Sequence, residues 1–162
     1  MLRLPIMIIG ASMSQVFFNR ISDYKKKEIP IYPLFKKLLL TLSLLSIVPF
    51  AIIFLFGEEI FGFVFGSNWY ESGKLSEIMA PWLMLNFILS PLSTIPLVFN
   101  KQRSFFILGL SASLLQLFGF LYLPQLLANE TNQLYSVFQW VTWSQVAISI
   151  VILFYLNSIV KK

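Results

Sequence analysis

The sequence predicts an all-α protein: a polytopic bundle of about five transmembrane helices that forms one domain over residues 1–162. Hydrophobic residues make up 57% of the chain and charged residues only 12%, and the mean hydropathy is +0.79. Soluble domains of this length do not have such a composition. Uncharged apolar runs long enough to cross a bilayer recur along the chain, and nearly all charged residues lie between them.

The first apolar run predicts a span over about residues 1–19. It ends just before Arg20, at the start of a basic segment. A secretory signal peptide is the alternative, because Arg3 precedes an apolar core. The run continues through Phe17 and Phe18 without a small-x-small cleavage site, which favours a transmembrane helix.

A second span is predicted over residues 38–56, which carry no charge. Its polar residues do not share one face of a helix, so we expect this span to face lipid broadly. An acidic segment follows, in which the short apolar run 60–65 lies close to Trp69 and Tyr70. Such an aromatic segment is typical of a helix or turn at the membrane interface, and a buried strand is the structural alternative.

The third predicted span, residues 78–99, is the stretch around which the chain is organised. Its 22 uncharged residues correspond to about 33 Å of helix, which matches a hydrocarbon core of roughly 30 Å. It contains Pro81, Pro91 and Pro96, so we expect kinks, with neighbouring hydroxyl groups satisfying the freed carbonyls.

Two further spans are predicted over residues 104–124 and 137–160. The short connection after the third span predicts that the third and fourth spans are antiparallel neighbours. In the fourth span, Gly109, Ala112, Ser113, Gln116 and Gly119 form a stripe of small and polar residues. The fifth span places Gln139, Thr142, Gln145 and Ser149 on one side.

The distribution of charge predicts the topology. Ten of the twelve basic residues lie in the first and third connecting segments and at the C-terminus, whereas five of the seven acidic residues lie in the second and fourth segments. Because basic segments stay in the cytoplasm, the N-terminus of this chain is predicted outside and the C-terminus inside. The net charge of +5 is explained in the same way, and nucleic acid is not expected as a partner.

Several kinds of chemistry are excluded by composition. The chain has no cysteine and no histidine, so it lacks thiolate nucleophiles, imidazole bases and the usual zinc and haem ligands. No paired carboxylates occur within the predicted spans. We therefore expect neither an enzyme nor a metal or cofactor site.

Two groups of residues carry a resemblance to a known family. The first contains Phe65-Gly66, Trp69, Gly73, Ala80-Pro81-Trp82-Leu83, Ser90-Pro91-Leu92-Ser93 and Gln102. The second is Gln15-Val16-Phe17-Phe18, followed by Arg20 and Ser22. In this order they resemble the second half of bacterial polysaccharide-repeat flippases, the O-antigen and capsule exporters of the multidrug/oligosaccharidyl-lipid/polysaccharide exporter superfamily. The resemblance covers about residues 3–103 and identifies the family rather than a site.

The resemblance implies a function and a place in the cell. The five spans are similar to the last five of twelve, that is, to most of the second lobe of a two-lobed transporter in the bacterial plasma (inner) membrane. Such a transporter flips lipid-linked polysaccharide repeat units through the cavity between its lobes. This chain would then be part of a longer protein, or would act with the missing N-terminal half as a separate chain. The alternatives are a multidrug-type exporter of the same superfamily and a non-transporting membrane subunit or truncated inactive fragment.

Polar residues in four of the spans are the candidates for a substrate lumen. The selected residues are Gln15, Asn86, Ser90, Gln116 and Gln145. Uncharged amides and hydroxyls suit the hydroxyl groups of a saccharide, while hydrogen bonding between helices is the structural alternative. The lysines at positions 25–27, 36 and 37 are expected to set the topology, and attraction of anionic lipid headgroups or a lipid pyrophosphate is their second interpretation.

Overall fold

The computed structural model describes the backbone of residues 3–127 and 132–161, and the side chains from residue 14 onwards within those ranges. Every regular element in these residues is helical, which confirms the all-α prediction. The elements are α1 (Arg3–Lys26), α2 (Tyr32–Phe65), a 3₁₀ turn (Ser67–Trp69), α3 (Tyr70–Leu92), α4 (Ile95–Val98), α5 (Gln102–Leu126) and α6 (Gln133–Val160).

Four stretches of the described chain are long and apolar enough to cross a membrane. They are Tyr32–Phe65, Ser67–Val98, Gln102–Leu126 and Gln133–Val160. They contain the second, fourth and fifth predicted spans, and all of the third except Phe99. The first span is not among these four stretches and stays a prediction; residues 1–2 and the side chains up to residue 13 lie outside the described part.

Helix α3 is the centre of the bundle. It packs extensively against α2, and also against α6 and α1. Eight of its 23 residues are buried, including Trp82, Phe87 and Leu92, whereas Gly119 is the only buried residue of α5. The apolar core therefore lies along α3, between α2 and α6.

Among the prolines of the third span, those near its end, and not Pro81, coincide with an interruption of the α-helix. Helix α3 continues through Pro81 and ends one residue after Pro91, and Pro96 lies in the first turn of the short helix α4. Hydroxyl groups satisfy carbonyls at this break: the Ser93 hydroxyl donates to the Ser90 carbonyl at 2.7 Å. The chain thus bends between α3 and α4, as expected where backbone partners are lost to proline.

Helix α2 is longer than the predicted second span. It joins the apolar run 38–56 to the predicted interfacial segment 60–65, with non-helical backbone angles at Phe56 (φ −137°, ψ 21°) between them. The segment 60–65 is therefore helical, and not a strand, but it continues α2 after a kink instead of forming a separate element. Glycines allow α2 and α3 to approach closely beyond the kink, because a Cβ on Gly73 would lie 2.5 Å from the carbonyl oxygen of Gly57.

The pairing of the last two long helices differs from the prediction. Helix α5 packs against α6 and makes little contact with α3, so the third and fourth spans are not close neighbours. The intervening helix α4 separates their ends, and α6 lies between α3 and α5. Among the four candidate spans, α5 has the smallest buried share and α2 the next smallest.

The two ends of the bundle differ in charge. At the basic end, the Lys25 ammonium donates to the Val98 carbonyl, and the Lys161 ammonium lies 5.6 Å from the ring centre of Tyr32. At the acidic end, the Tyr135 hydroxyl donates to the Glu71 carboxylate. The connecting segments therefore form a basic end and an acidic end, which are the two groups of segments that the charge pattern predicts.

Candidate functional site

Two of the predicted lumen residues are exposed on neighbouring helices. Gln15 on α1 and Asn86 on α3 both present their side chains at the surface of the bundle. Neither amide forms a hydrogen bond with any residue in the described part of the chain. Both lie within apolar helical segments, where an amide without a partner is costly in contact with lipid.

Between these two residues, α1 and α3 are joined by a hydroxyl contact. The Ser14 hydroxyl donates to the Ser90 carbonyl at 3.2 Å, and the same carbonyl accepts the Ser93 hydroxyl. Ser90 itself is half-buried. Its backbone therefore serves to hold α1 against the end of α3, which is the structural role that polar residues have at helix contacts in membranes.

The other two predicted residues lie on the opposite side of the molecule, where α5 meets α6. Gln145 is 5% exposed, and its side-chain amide donates to the Ala112 carbonyl at 2.8 Å. Gln116, one turn further along α5, is half-buried. Thr142, one turn before Gln145, is buried, and its hydroxyl oxygen has no hydrogen-bond partner within the residues that are described.

The five predicted residues thus belong to two separate places and do not line one cavity. Gln15, Asn86 and Ser90 lie on α1 and α3, whereas Gln116 and Gln145 lie between α5 and α6. Because α6 packs against both α3 and α5, it separates the two groups. Gln145 is used for packing between helices, whereas the exposed Gln15 and Asn86 are available to a partner or to water.

Two cavities lie at the basic end. The first, of about 370 Å³, is lined by Val16, Phe17, Arg20, Leu34, Lys37, Leu38 and Thr41. The second, of about 460 Å³, is lined by Phe99, Lys101, Ser104, Tyr155, Ser158 and Ile159. Both volumes are in the range of small-ligand pockets. Each combines an apolar wall with at least one cationic side chain.

The sequence pattern indicated part of this arrangement. Lys37 belongs to the lysines for which attraction of anionic lipid groups is the second interpretation, after a role in topology, and its spacing from Leu34, Leu38 and Thr41 is that of one face of a helix. No sequence signal places Arg20 beside that face, since this requires knowing that α1 and α2 come together at the basic end.

The described residues contain no group of three carboxylates that could hold a metal ion. Both cavities are lined by cations, hydroxyls and apolar side chains. Such a lining suits the binding of an amphipathic anion.

Comparisons with known proteins give no further indication of identity. No protein-family model matches the chain, and no curated protein sequence and no solved structure is significantly similar to it.

Proposed function

We propose that this chain is part of a membrane transporter that moves lipid-linked polysaccharide repeat units outward, with the helices of a further lobe completing the pathway. The family resemblance of residues 3–103 supports the substrate class. One observation on the molecule carries the need for a further lobe: the exposed, unpaired amides of Gln15 and Asn86 within apolar helices. In contact with lipid these amides would lose their hydrogen bonds to water without compensation.

An aqueous passage lined by α1 and α3 gives these amides hydrogen-bonding partners. Neutral amides also suit a saccharide, because they donate to and accept from sugar hydroxyls without fixing a charge in the passage. In this proposal the basic end faces the cytoplasm of a bacterial cell, in accord with the positive-inside rule. The C-terminus is then cytoplasmic, and the membrane is the plasma (inner) membrane.

The first test measures whether water reaches Gln15 and Asn86 in the native membrane. The chain contains no cysteine, so Gln15→Cys and Asn86→Cys each introduce a single thiol. We expect both thiols to react with a small, membrane-impermeant maleimide in intact or everted membrane vesicles. Leu44→Cys and Leu114→Cys are the matched controls, since these leucines are 69% and 56% exposed on α2 and α5 and should stay unlabelled in lipid.

The labelling result distinguishes the transporter from a packing subunit. If neither amide position reacts, while both form disulfides with cysteines of a co-purifying protein, the α1/α3 surface is a dry interface and the aqueous passage does not exist. Labelling at all four positions would show that the helices are not embedded as proposed.

The second test addresses the substrate. Protein purified together with its associated chains is reconstituted in vesicles that contain a fluorescent undecaprenyl-diphosphate oligosaccharide, and flipping is read as accessibility of the sugar to an external glycosidase. We expect accessibility to increase with protein, and to decrease when Asn86 is replaced by Leu. Export of cationic dyes instead of the glycolipid would favour the multidrug-type exporter.

A further inference from the structure

The first cavity at the basic end is a gap between two helices that pack elsewhere. Helix α1 lies against α3 and α4, and α2 lies against α3, but α1 and α2 hardly touch each other. The gap between them has a volume of about 370 Å³. It is open towards the surroundings of the bundle, because Val16 in its wall is 66% exposed.

The wall of this gap contains apolar and cationic side chains. On α1, Arg20 lies about one turn of helix, roughly 5.4 Å, closer to the basic end than Val16 and Phe17. On α2, Lys37 lies between Leu34 and Leu38, and Thr41 follows one turn later. The gap therefore has a mostly apolar wall with one cation on each of its two helices.

The two cations of the gap have no anionic partner in the part of the chain that the structure describes. Arg20 and Lys37 are exposed, and the one ion pair in the described residues is between Lys74 and Glu58 at the opposite end. Asp23, one turn beyond Arg20, does not line the gap. The Thr41 hydroxyl donates to the Lys37 carbonyl at 2.9 Å, so the wall keeps no unsatisfied hydroxyl donor and remains suited to a hydrocarbon chain.

We infer that this gap is a binding site for one anionic glycerophospholipid from the leaflet next to the basic end. The guanidinium of Arg20 and the ammonium of Lys37 bind its phosphate from two sides, and an acyl chain fills the space between α1 and α2. Charge complementarity selects an anionic headgroup over a zwitterionic one, because the two cations lack any other counter-charge. The site is distinct from the exposed amides of the proposed passage, and the inference does not rest on the proposed transport function.

Such a lipid would have a structural consequence. Helix α1 is held to the rest of the bundle by its contacts with α3 and α4, and a lipid bridging α1 and α2 adds a contact on the otherwise open side. The contact depends on the lipid's charge, so the attachment of α1 should depend on the anionic lipid content of the membrane.

The experiment is a lipid titration of the purified full-length chain in detergent, followed by native mass spectrometry. Phosphatidylglycerol is the probe and phosphatidylcholine the zwitterionic comparison. We expect one retained phosphatidylglycerol per chain, and much less retention of phosphatidylcholine. In the variant Arg20→Gln/Lys37→Gln the apparent affinity should fall by about fivefold for each cation, or about 25-fold in total.

The matched control is Lys26→Gln/Lys36→Gln. It removes the same charge from exposed lysines of the same two helices, and neither residue lines the gap. We expect its affinity for phosphatidylglycerol to stay within about twofold of the parent. An equal loss in both double variants would mean that the basic end attracts anionic lipids only diffusely, and would overturn the proposed site.

A second measurement separates a lipid site from a site for soluble phosphate. Millimolar glycerol phosphate or inorganic phosphate should not displace the bound lipid, because neither supplies an acyl chain. Val16→Phe, which fills the wall without changing charge, should lower retention several-fold while circular dichroism shows unchanged helicity. Displacement by soluble phosphate, or full retention in Val16→Phe, would refute an acyl chain between α1 and α2.

Discussion

Replacing Gly73 by alanine tests the close approach of α2 and α3. A methyl group on Gly73 would lie 2.5 Å from the Glu58 Cα and 2.5 Å from the carbonyl oxygen of Gly57, both of them backbone atoms. Ordinary contacts of a Cβ begin at about 3.4 Å, so the two helices would have to separate by close to 1 Å. The neighbouring hydrogen bond from the Glu58 amide to the Glu77 carboxylate, at 2.9 Å, would then be stretched beyond a useful length.

The expected cost follows from these terms. Overpacking at a tight contact typically costs about 1–3 kcal/mol, and losing a hydrogen bond to a charged group costs about 1.5–3 kcal/mol. Alanine in place of glycine recovers roughly 1 kcal/mol of helix propensity. We therefore expect Gly73→Ala to lower the free energy of unfolding by about 1.5–5 kcal/mol, which corresponds to a change of roughly tenfold to a few thousandfold in the folding equilibrium.

The assay is reversible unfolding in mixed micelles with increasing sodium dodecyl sulfate, followed by the fluorescence of the buried Trp82 in a background in which the other three tryptophans are replaced by phenylalanine. Gly109→Ala is the matched control, because a Cβ there meets nothing within 4 Å and the same propensity gain applies. We expect the control to be unchanged or slightly stabilised. If Gly73→Ala unfolds at the same detergent fraction as Gly109→Ala, α2 and α3 do not make this contact.

Three further variants test other parts of the bundle. Gln145→Leu should lower the free energy of unfolding by about 0.6–1.7 kcal/mol, because the bond to the Ala112 carbonyl links α6 to α5; the same detergent titration should show no loss for Gln139→Leu, an exposed position on α6. Gly119→Leu should weaken the packing of α5 on α6, because a Cβ at this position already lies 2.8 Å from the Val141 side chain. We expect faster proteolysis between α5 and α6, with α2 to α4 still protected. An unchanged cleavage rate would argue against this contact. In a variant that keeps Trp69 as its only tryptophan, lipids brominated near the headgroup should quench the fluorescence more strongly than lipids brominated at the chain ends, because aromatic residues at helix ends prefer the interface. The reverse order would place the 3₁₀ turn deep in the bilayer.

The sequence predicted the helices well because hydropathy reports on membrane spans directly. Hydropathy does not report where a helix ends outside the membrane. The apolar run 38–56 predicts the second span, and α2 begins earlier, at Tyr32, because Lys36 and Lys37 are compatible with a helix at the bilayer edge. At its other end α2 continues past the kink at Phe56 to Phe65. Helix bounds and membrane bounds are therefore separate quantities.

The sequence did not predict which helices pack together. A short connection between the third and fourth spans predicted neighbours, yet the turn α4 (Ile95–Val98) leads the chain away, and α5 packs on α6. This arrangement depends on shape: Gly119 makes room for the Val141 side chain, a pairing that no local pattern encodes. For the same reason the sequence does not predict the gap between Arg20 and Lys37, although attraction of anionic lipid groups is the second interpretation of Lys37.

The polar residues of the spans fall into two classes: those whose side chains can hydrogen-bond to carbonyls of their own helix, and those whose side chains need another partner. The hydroxyls of Ser111 and Ser113 on α5 donate to the carbonyls of residues three and four positions earlier, so these exposed serines can face lipid at little cost. An amide carries two donors and one acceptor, more than one carbonyl of its own helix can satisfy. The Gln145 amide is buried against a second helix and donates to a carbonyl of that helix. The amides of Gln15 and Asn86 have no such hydrogen bond within the described residues. Under the proposed function, the exposed amides of Gln15 and Asn86 mark the α1/α3 surface as one that water or a further lobe would cover.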